Sequence, residues 1–146
     1  MRKVEVSITI KTTSERVIQA FTNPAMLGEW WGVEKALIEK KVGGLYTIAW
    51  QVTEKGMGYV STGIIKKYDP NKILEIVDFV YLSHEKPFLG PMNLTIRAQE
   101  KNGITHLYLC QDGYQEGKDW NWYHEAVKEA WPKVMEQFKE YLEKTN

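Results

Sequence analysis

Few side chains in this 146-residue sequence have the types and spacing of a catalytic or metal site. His84, His106 and His124 are not at the spacing of metal ligands, and spacing alone neither reveals nor excludes a Ser-His-Asp arrangement. His106 and Cys110 would share one face of a strand, but about 13 Å of extended chain separates them, too far to chelate one ion. Cys110 is the only cysteine, which excludes a disulfide within the chain. We therefore expect no metal and no cofactor, and we assign no catalytic residue.

The run of residues 73–81 contains a carboxylate, Asp78, that could face a pocket. Glu75 and Asp78 have opposite parity in the apolar run of residues 73–81, so a regular strand would turn one of them inward. An inward Asp78 would be costly unless paired or protonated, and a bulge or an edge position is the alternative. Asp78 and His106 are thus the possible polar groups of a pocket. Together with Tyr59 they are the residues that an enzyme would have to use.

Aromatic side chains are abundant, with six Trp, eight Tyr and four Phe. Large rings supply core area, and they also line cavities for apolar ligands. The neighbours Trp30 and Trp31 would point about 100° apart on a helix, so one should pack inward while the other can edge a pocket. The alternative is that the residues predicted to line the cavity simply fill the core and leave no cavity. That lining comprises Trp30, Tyr46, Trp50, Tyr59, Phe79, Tyr123, Val127 and Trp131.

The elements that must position these residues begin with a strand and two short helices. Apolar and polar residues alternate over residues 3–10, which predicts a strand with one buried face. Thr12 and Glu15 fit a capping box and predict a helix from about residue 14. Asn23 followed by Pro24 predicts a second short helix, which Gly32 should end.

A sheet and a long helix should follow. Residues 34–110 contain sequential strands joined by tight turns, which predicts an antiparallel sheet. The strand over residues 45–52 should place four side chains on one face: Tyr46, Ile48, Trp50 and Val52. From about Asp119 the apolar period becomes 3.6, which predicts an amphipathic helix of about 25 residues.

The composition argues against several functional classes. Lys and Arg together number 19, as do Asp and Glu, and this zero net charge argues against a general nucleic-acid binder. The content of 43% hydrophobic and 26% charged residues is typical of a globular protein, and the length predicts one domain over residues 1–146. No segment is apolar enough to span a membrane, and no signal-peptide core follows Met1, so we expect a cytoplasmic protein without membrane insertion.

Five short motifs occur in a characteristic order along nearly the whole chain. They are Phe21-Thr22-Asn23-Pro24 with Leu27 and Trp30-Trp31, Val42-Gly43-Gly44-Leu45-Tyr46, Gly63-Ile64-Ile65 with Asp69-Pro70 and Leu74, Thr105-His106-Leu107-Tyr108-Leu109 with Gly113-Tyr114, and Ala130-Trp131 with Val134 and Tyr141-Leu142. Together they resemble the family of proteins related to the activator of heat shock protein 90 ATPase. The chain departs from the family pattern at Ala130, often glycine there, at Pro132 and in the long loop of residues 82–91.

The resemblance implies the helix-grip fold of START-like (SRPBCC) and Bet v 1-type proteins. This α+β fold wraps a curved antiparallel sheet of six to seven strands around a long C-terminal helix, with two short helices after the first strand. Stand-alone relatives mostly resemble ligand binders without shared catalytic residues. The leading hypothesis is therefore binding of an apolar or amphipathic small molecule in a cavity between the sheet and the C-terminal helix.

Two other functions stay open at this point. The chain can be a chaperone-associated interaction module like the family's heat shock protein 90 activators, with a chaperone as its partner. It can also be an enzyme, such as a cyclase or hydrolase that acts on an aromatic or polyketide-like substrate. We expect a monomer or a homodimer in each case.

Overall fold

The computed structural model describes residues 2–145, which form seven strands and three helices. In chain order these are β1 (Lys3–Ile10), α1 (Ser14–Thr22), α2 (Pro24–Trp31), β2 (Lys35–Ile38), β3 (Leu45–Thr53), β4 (Gly56–Asp69), β5 (Ile73–Ser83), β6 (Leu89–Lys101), β7 (Ile104–Asp112) and α3 (Lys118–Lys144). All strand pairs are antiparallel, in the spatial order β1-β7-β6-β5-β4-β3-β2. The predicted α+β helix-grip fold is confirmed.

The two short helices start and stop where their caps place them. The Thr13 side chain accepts a hydrogen bond from the Arg16 backbone N–H at 3.2 Å, so Thr13, and not the predicted Thr12, caps α1. Asn23 caps α2 by accepting from the Met26 N–H at 3.1 Å, as predicted. Gly32 ends α2 in the left-handed conformation, with a φ of 72°.

The inner face of the sheet is the face that packs against the helices. Phe138 of α3 meets Phe21 of α1 and Trp30 of α2, and its ring centroid lies 4.7 Å from each of theirs. The buried side chains of α3 recur every three or four residues: Tyr123, Val127, Trp131, Met135, Phe138 and Leu142. This spacing makes one apolar stripe along the helix, and the stripe forms the core with the inner face.

Two residues with positive φ interrupt the regular alternation of the strands. Gln51 has a φ of 54°, and Val52 beyond it lines an outer recess with Leu37 and Ala49. The prediction that Val52 shares a face with Tyr46 is therefore wrong, because alternation holds only while every residue stays extended. Asp78 has a φ of 51° and lies in a bulge, where the β5–β6 register shifts between Ile76 and Phe79.

Gly63 in β4 allows close packing against β5. A Cβ atom at this position would lie 2.7 Å from Ile76 Cγ2 and 2.8 Å from the Val77 carbonyl oxygen. We expect Gly63→Ala to lower the free energy of unfolding by about 1–3 kcal/mol through overpacking. Gly28→Ala is the control, since its Cβ would make only an ordinary 3.4 Å contact in a helix and should not destabilise the protein. Urea denaturation measures both, and equal stabilities for the two variants would contradict this expectation.

Candidate ligand-binding site

The sheet contributes three aromatic rings to the space below α3. Trp50 of β3, Tyr59 of β4 and Tyr81 of β5 lie on the inner face, as their pairing with inward neighbours shows. All three are only half-buried. Side chains of a closed core are normally covered, so the partial exposure of these rings shows that their neighbours do not cover them completely.

Helix α3 supplies the opposite wall. Tyr123, Val127 and Trp131 are four residues apart, so they lie one above the other on the face toward the sheet, and all three are buried. The α3 backbone lies closest to β1 and α2. The wider gap toward β3, β4 and β5 is therefore bridged by side chains.

Stacked rings connect the two walls. Tyr81 stacks on Tyr123 with ring centroids 4.9 Å apart, and Tyr59 stacks on Tyr81 at 6.3 Å. At the other end Trp31 contacts Trp131 at 5.5 Å and Trp50 at 5.1 Å. We call this group of side chains between α3 and the sheet the aromatic cleft: Trp31, Trp50, Tyr59, Tyr81, Tyr123, Val127 and Trp131.

A buried polar network lies at the base of the aromatic cleft. Trp131 Nε1 donates to Gln111 Oε1 at 2.8 Å, and Gln111 Nε2 donates to Tyr123 Oη at 3.2 Å. Gln111 Nε2 also contacts Met92 Sδ at 3.5 Å. Burial raises the pKa of Tyr123 to about 12, so its hydroxyl keeps its proton at neutral pH. In this network the Tyr123 hydroxyl oxygen accepts a hydrogen bond. The O–H group of Tyr123 can therefore still donate one to a ligand.

Tyr114 places a second hydroxyl near this network. Its ring packs edge-on against Trp120 and His124, with centroids 6.3 and 5.0 Å away, and lies 6.1 Å from the Tyr123 ring. Within residues 2–145, Tyr114 Oη is the buried side-chain atom that lacks a hydrogen-bond partner. Burial raises the pKa of Tyr114, so this hydroxyl also remains a donor at neutral pH.

Three residues of the predicted cavity lining, Trp30, Tyr46 and Phe79, are buried in the core away from the aromatic cleft. Trp30 is 1% exposed and its Nε1 donates to the Ala20 carbonyl at 2.8 Å. Tyr46 is equally buried, and its hydroxyl donates to the Phe21 carbonyl at 2.6 Å. Their polar atoms are therefore already satisfied beneath α1. Phe79 is buried within this core at 4% exposure. Tyr123, Val127 and Trp131 belong to the same core and, together with the half-buried Trp50 and Tyr59, are the predicted residues that form the aromatic cleft.

Asp78 and His106, the predicted polar groups of the pocket, lie outside the aromatic cleft. Asp78 is exposed because the bulge in β5 absorbs the parity conflict with Glu75. His106 is exposed on β7 opposite Thr9 and Gln99, on the face away from α3. The aromatic cleft takes its polar atoms from other residues.

Sequence reasoning omitted Gln111, Tyr81 and Tyr114. Gln111 shares strand parity with the buried Leu107 and Leu109, and this parity was a signal that could have identified it. Tyr81 shares strand parity with Phe79 of the predicted lining, which is a signal for an inward position, although the bulge at Asp78 puts both out of step with Leu74 and Ile76. The position of Tyr114 follows from a turn at Gly113, which has a φ of 93°.

Two surface recesses lie away from the aromatic cleft. A wide recess of about 1320 Å³ runs along β1, β6 and β7 and includes His106, Arg97 and Tyr108. A smaller one of about 260 Å³ lies on the outer side of β2 and β3. Among residues 2–145, no three His, Cys, Asp or Glu side chains gather in a metal-binding arrangement. No helix in the described part of the chain is long and apolar enough to cross a membrane.

Comparison with known proteins agrees with this architecture. Residues 11–143 match the model of the family described as Activator of Hsp90 ATPase homolog 1-like protein. Protein MLL2253 from Mesorhizobium loti is similar in structure, with 26% identity, a TM-score of 0.77 and 99% of each chain covered.

Two further solved structures share the fold. The Aha1 dimer from Colwellia psychrerythraea has 18% identity and a TM-score of 0.72, and the match covers 98% of this chain and 97% of that one. The AHSA1 protein from Silicibacter pomeroyi has 14% identity and a TM-score of 0.71, with 99% and 100% covered. No curated protein sequence matches this chain.

Proposed function

Because this chain belongs to the family of activator of Hsp90 ATPase homolog 1-like proteins, we propose that it acts through the site that its helix-grip fold provides, the aromatic cleft. The proposed function is the binding of a flat, apolar or amphipathic small molecule between α3 and strands β3 to β5. The observation that carries this proposal is the exposure of Trp50, Tyr59 and Tyr81 on the inner face.

The chemistry of the walls favours a planar ligand. Aromatic pairs gain about 0.5–1.5 kcal/mol beyond the burial of their area when rings stack or meet edge-on. The cleft offers such rings on both sides, with Trp50 and Tyr59 on the sheet and Tyr123 and Trp131 on the helix. A flat molecule that lies against the exposed parts of Trp50, Tyr59 and Tyr81 would remove this ring surface from water.

The base of the cleft favours a ligand with one acceptor oxygen. The Tyr123 hydroxyl stays protonated and donates nothing to Gln111, since it accepts from that side chain. A ligand carbonyl can accept a hydrogen bond from this hydroxyl, whose residue is only 7% exposed. The gain of one neutral hydrogen bond is about 0.5–1.5 kcal/mol, which sets the expected selectivity.

A matched pair of probes tests the proposal. We expect 2-acetylnaphthalene to bind with a dissociation constant below about 1 mM in calorimetric titration, and 2-ethylnaphthalene, which lacks the carbonyl, to bind about three- to tenfold more weakly. Tyr123→Phe should abolish this preference while both probes still bind. Tyr141→Phe is the control, because Tyr141 lies on α3 with its hydroxyl on Glu29. Failure of both probes to bind the unaltered protein would contradict the proposal.

A chaperone-associated role is the second candidate, and the family match itself favours it. Its test is a pulldown with heat shock protein 90 from the same host, followed by measurement of that chaperone's ATPase rate. Stimulation at micromolar concentrations supports this role, and an unchanged rate excludes it. We do not propose the cyclase or hydrolase alternative, because two of its three nominees, Asp78 and His106, are exposed outside the cleft and leave Tyr59 there without a carboxylate or imidazole partner from that set.

A further inference from the structure

The Tyr114 hydroxyl is a buried polar group that the fold itself does not use. Tyr114 is 7% exposed, and among residues 2–145 its Oη is the buried side-chain atom that lacks a hydrogen-bond partner. Folding removes this hydroxyl from water without replacing the lost hydrogen bond, a cost that phenylalanine at the same position would avoid. Such groups are rare in native proteins, so this one requires an explanation other than packing.

The backbone around Gly113 holds the Tyr114 ring against the first turns of α3. Gly113 has a φ of 93°, and a Cβ atom there would lie 3.0 Å from the Met92 Cα atom of β6. The chain therefore turns closely past β6 before it reaches Tyr114. The Tyr114 ring then meets Trp120 and His124, with centroid distances of 6.3 and 5.0 Å. A tight turn and two contacts with α3 thus set the position of this ring.

Tyr114 lies beside Tyr123, whose hydroxyl is the donor at the base of the aromatic cleft. The two ring centroids are 6.1 Å apart. Burial is the main cause that raises the pKa of Tyr114, and the neighbouring Tyr123 adds to it. The Tyr123 oxygen already accepts from Gln111 Nε2, so the described residues supply no acceptor to either tyrosine proton.

This end of the aromatic cleft is rich in hydrogen-bond donors and electrically neutral. Among residues 2–145, no charged side chain is hydrogen-bonded to the hydroxyl of Tyr114 or Tyr123. Carbonyl oxygens of a neutral ligand match such donors, whereas a buried carboxylate would need a paired positive charge to offset its desolvation. The complementary ligand therefore carries two neutral acceptor oxygens.

We propose that the Tyr114 hydroxyl is a second ligand donor of the aromatic cleft, which with Tyr123 selects planar aromatic compounds that bear two neutral carbonyl oxygens, such as imides. This role rests on the proposed function, because it requires a ligand between α3 and the sheet. The start of α3 favours access to Tyr114, since Gly117 has no side chain to cap the helix. A first turn without a side-chain cap is held less firmly than a capped one, so a ligand can displace it.

A matched imide and lactam test the selectivity. N-Methyl-1,8-naphthalimide is planar with two carbonyl oxygens, and its lactam analogue has a methylene group in place of one carbonyl. In calorimetric titration we expect the unaltered protein to bind the imide about three- to tenfold more tightly than the lactam, the range that one neutral hydrogen bond provides. Tyr114→Phe should abolish this preference and leave the affinity for the lactam unchanged.

Tyr108→Phe is the control for the titration. Tyr108 lies on β7 on the face of the sheet away from α3, opposite Arg97, and its hydroxyl donates to Glu5. This variant also loses one tyrosine hydroxyl, but it should bind the imide with the preference of the unaltered protein.

The stability of the ligand-free protein tests whether the Tyr114 hydroxyl is unpaired. Tyr114→Phe should raise the urea midpoint of unfolding, because it removes a buried hydroxyl that has no partner. Tyr46→Phe is the comparison, since Tyr46 is also buried but its hydroxyl donates to the Phe21 carbonyl at 2.6 Å. Loss of that hydrogen bond should lower the midpoint. A purely structural role for the Tyr114 hydroxyl would lower the midpoint in both variants.

Several results would overturn the role of Tyr114 and leave the proposed function intact. One is a preference for the imide that persists in Tyr114→Phe, and another is equal binding of imide and lactam by the unaltered protein. A lower midpoint for Tyr114→Phe is a third, since the hydroxyl would then already have a partner such as bound water. If the imide, the lactam and 2-acetylnaphthalene all fail to bind the unaltered protein, the proposed function fails as well.

Discussion

Phe138→Ala is expected to lower the free energy of unfolding by about 3–5 kcal/mol, the loss typical of a buried phenylalanine that leaves a cavity. The Phe138 ring is 0% exposed and joins α3 to α1 and α2 through its contacts with Phe21 and Trp30. These neighbours are themselves fixed, because Trp30 is hydrogen-bonded to the Ala20 carbonyl. The site can therefore collapse little around the missing ring.

Urea denaturation followed by circular dichroism measures this effect. Glu136→Ala is the matched control on α3, because Glu136 is exposed and lies only two residues away. We expect the control to change the stability by less than about 0.5 kcal/mol. A loss below about 1.5 kcal/mol for Phe138→Ala would mean that the junction of the three helices is loosely packed.

Gln111→Leu is expected to lower the free energy of unfolding by about 2–4 kcal/mol, although leucine has a similar volume. The glutamine accepts from Trp131 Nε1 and donates to Tyr123 Oη, and all three residues are buried. Its removal leaves the indole N–H and the phenol without their partner, and each such loss costs about 1–3 kcal/mol. The same denaturation experiment measures it, with Gln99→Leu on the outer face as the control.

A double-mutant cycle separates the network from simple packing. Gln111→Leu leaves the Tyr123 hydroxyl without its hydrogen-bond donor, and Tyr123→Phe removes that hydroxyl. The loss of stability in the double variant should therefore be about 1 kcal/mol smaller than the sum of the two single losses. Additive losses within about 0.5 kcal/mol would show that the Gln111–Tyr123 hydrogen bond contributes little to stability.

The elements could be predicted from sequence because their signals are local. Asn23 and Pro24 start α2 through cap chemistry that involves only neighbouring residues, and Gly32 ends it with a positive φ. The α3 stripe follows from its 3.6-residue period. The cap at Thr13 was missed by one residue, because Thr12 and Thr13 both have the side chain of a cap and only the backbone conformation distinguishes them.

The candidate site was harder to predict because it depends on interruptions of regular structure. Strand parity predicts Val52 on the inner face. The positive φ of Gln51 changes this, and glutamine, unlike glycine or asparagine, is not a residue type from which a positive φ is expected. The bulge at Asp78 similarly turns a carboxylate outward and Tyr81 inward. Trp30 and Tyr46 are predicted to line the cavity, but their polar atoms bind the Ala20 and Phe21 carbonyls of α1, a packing that strand and helix periods do not reveal.

The indole rings of this protein follow one another closely enough to interact optically. Trp31 lies 5.0 Å from Trp30, 5.1 Å from Trp50 and 5.5 Å from Trp131, measured between ring centroids. At such separations the electronic transitions of neighbouring indoles couple, and excitation passes readily from one ring to the next. A molecule that separates these rings would disturb the coupling, so the tryptophan chain is an intrinsic spectroscopic sensor of whatever enters beside it.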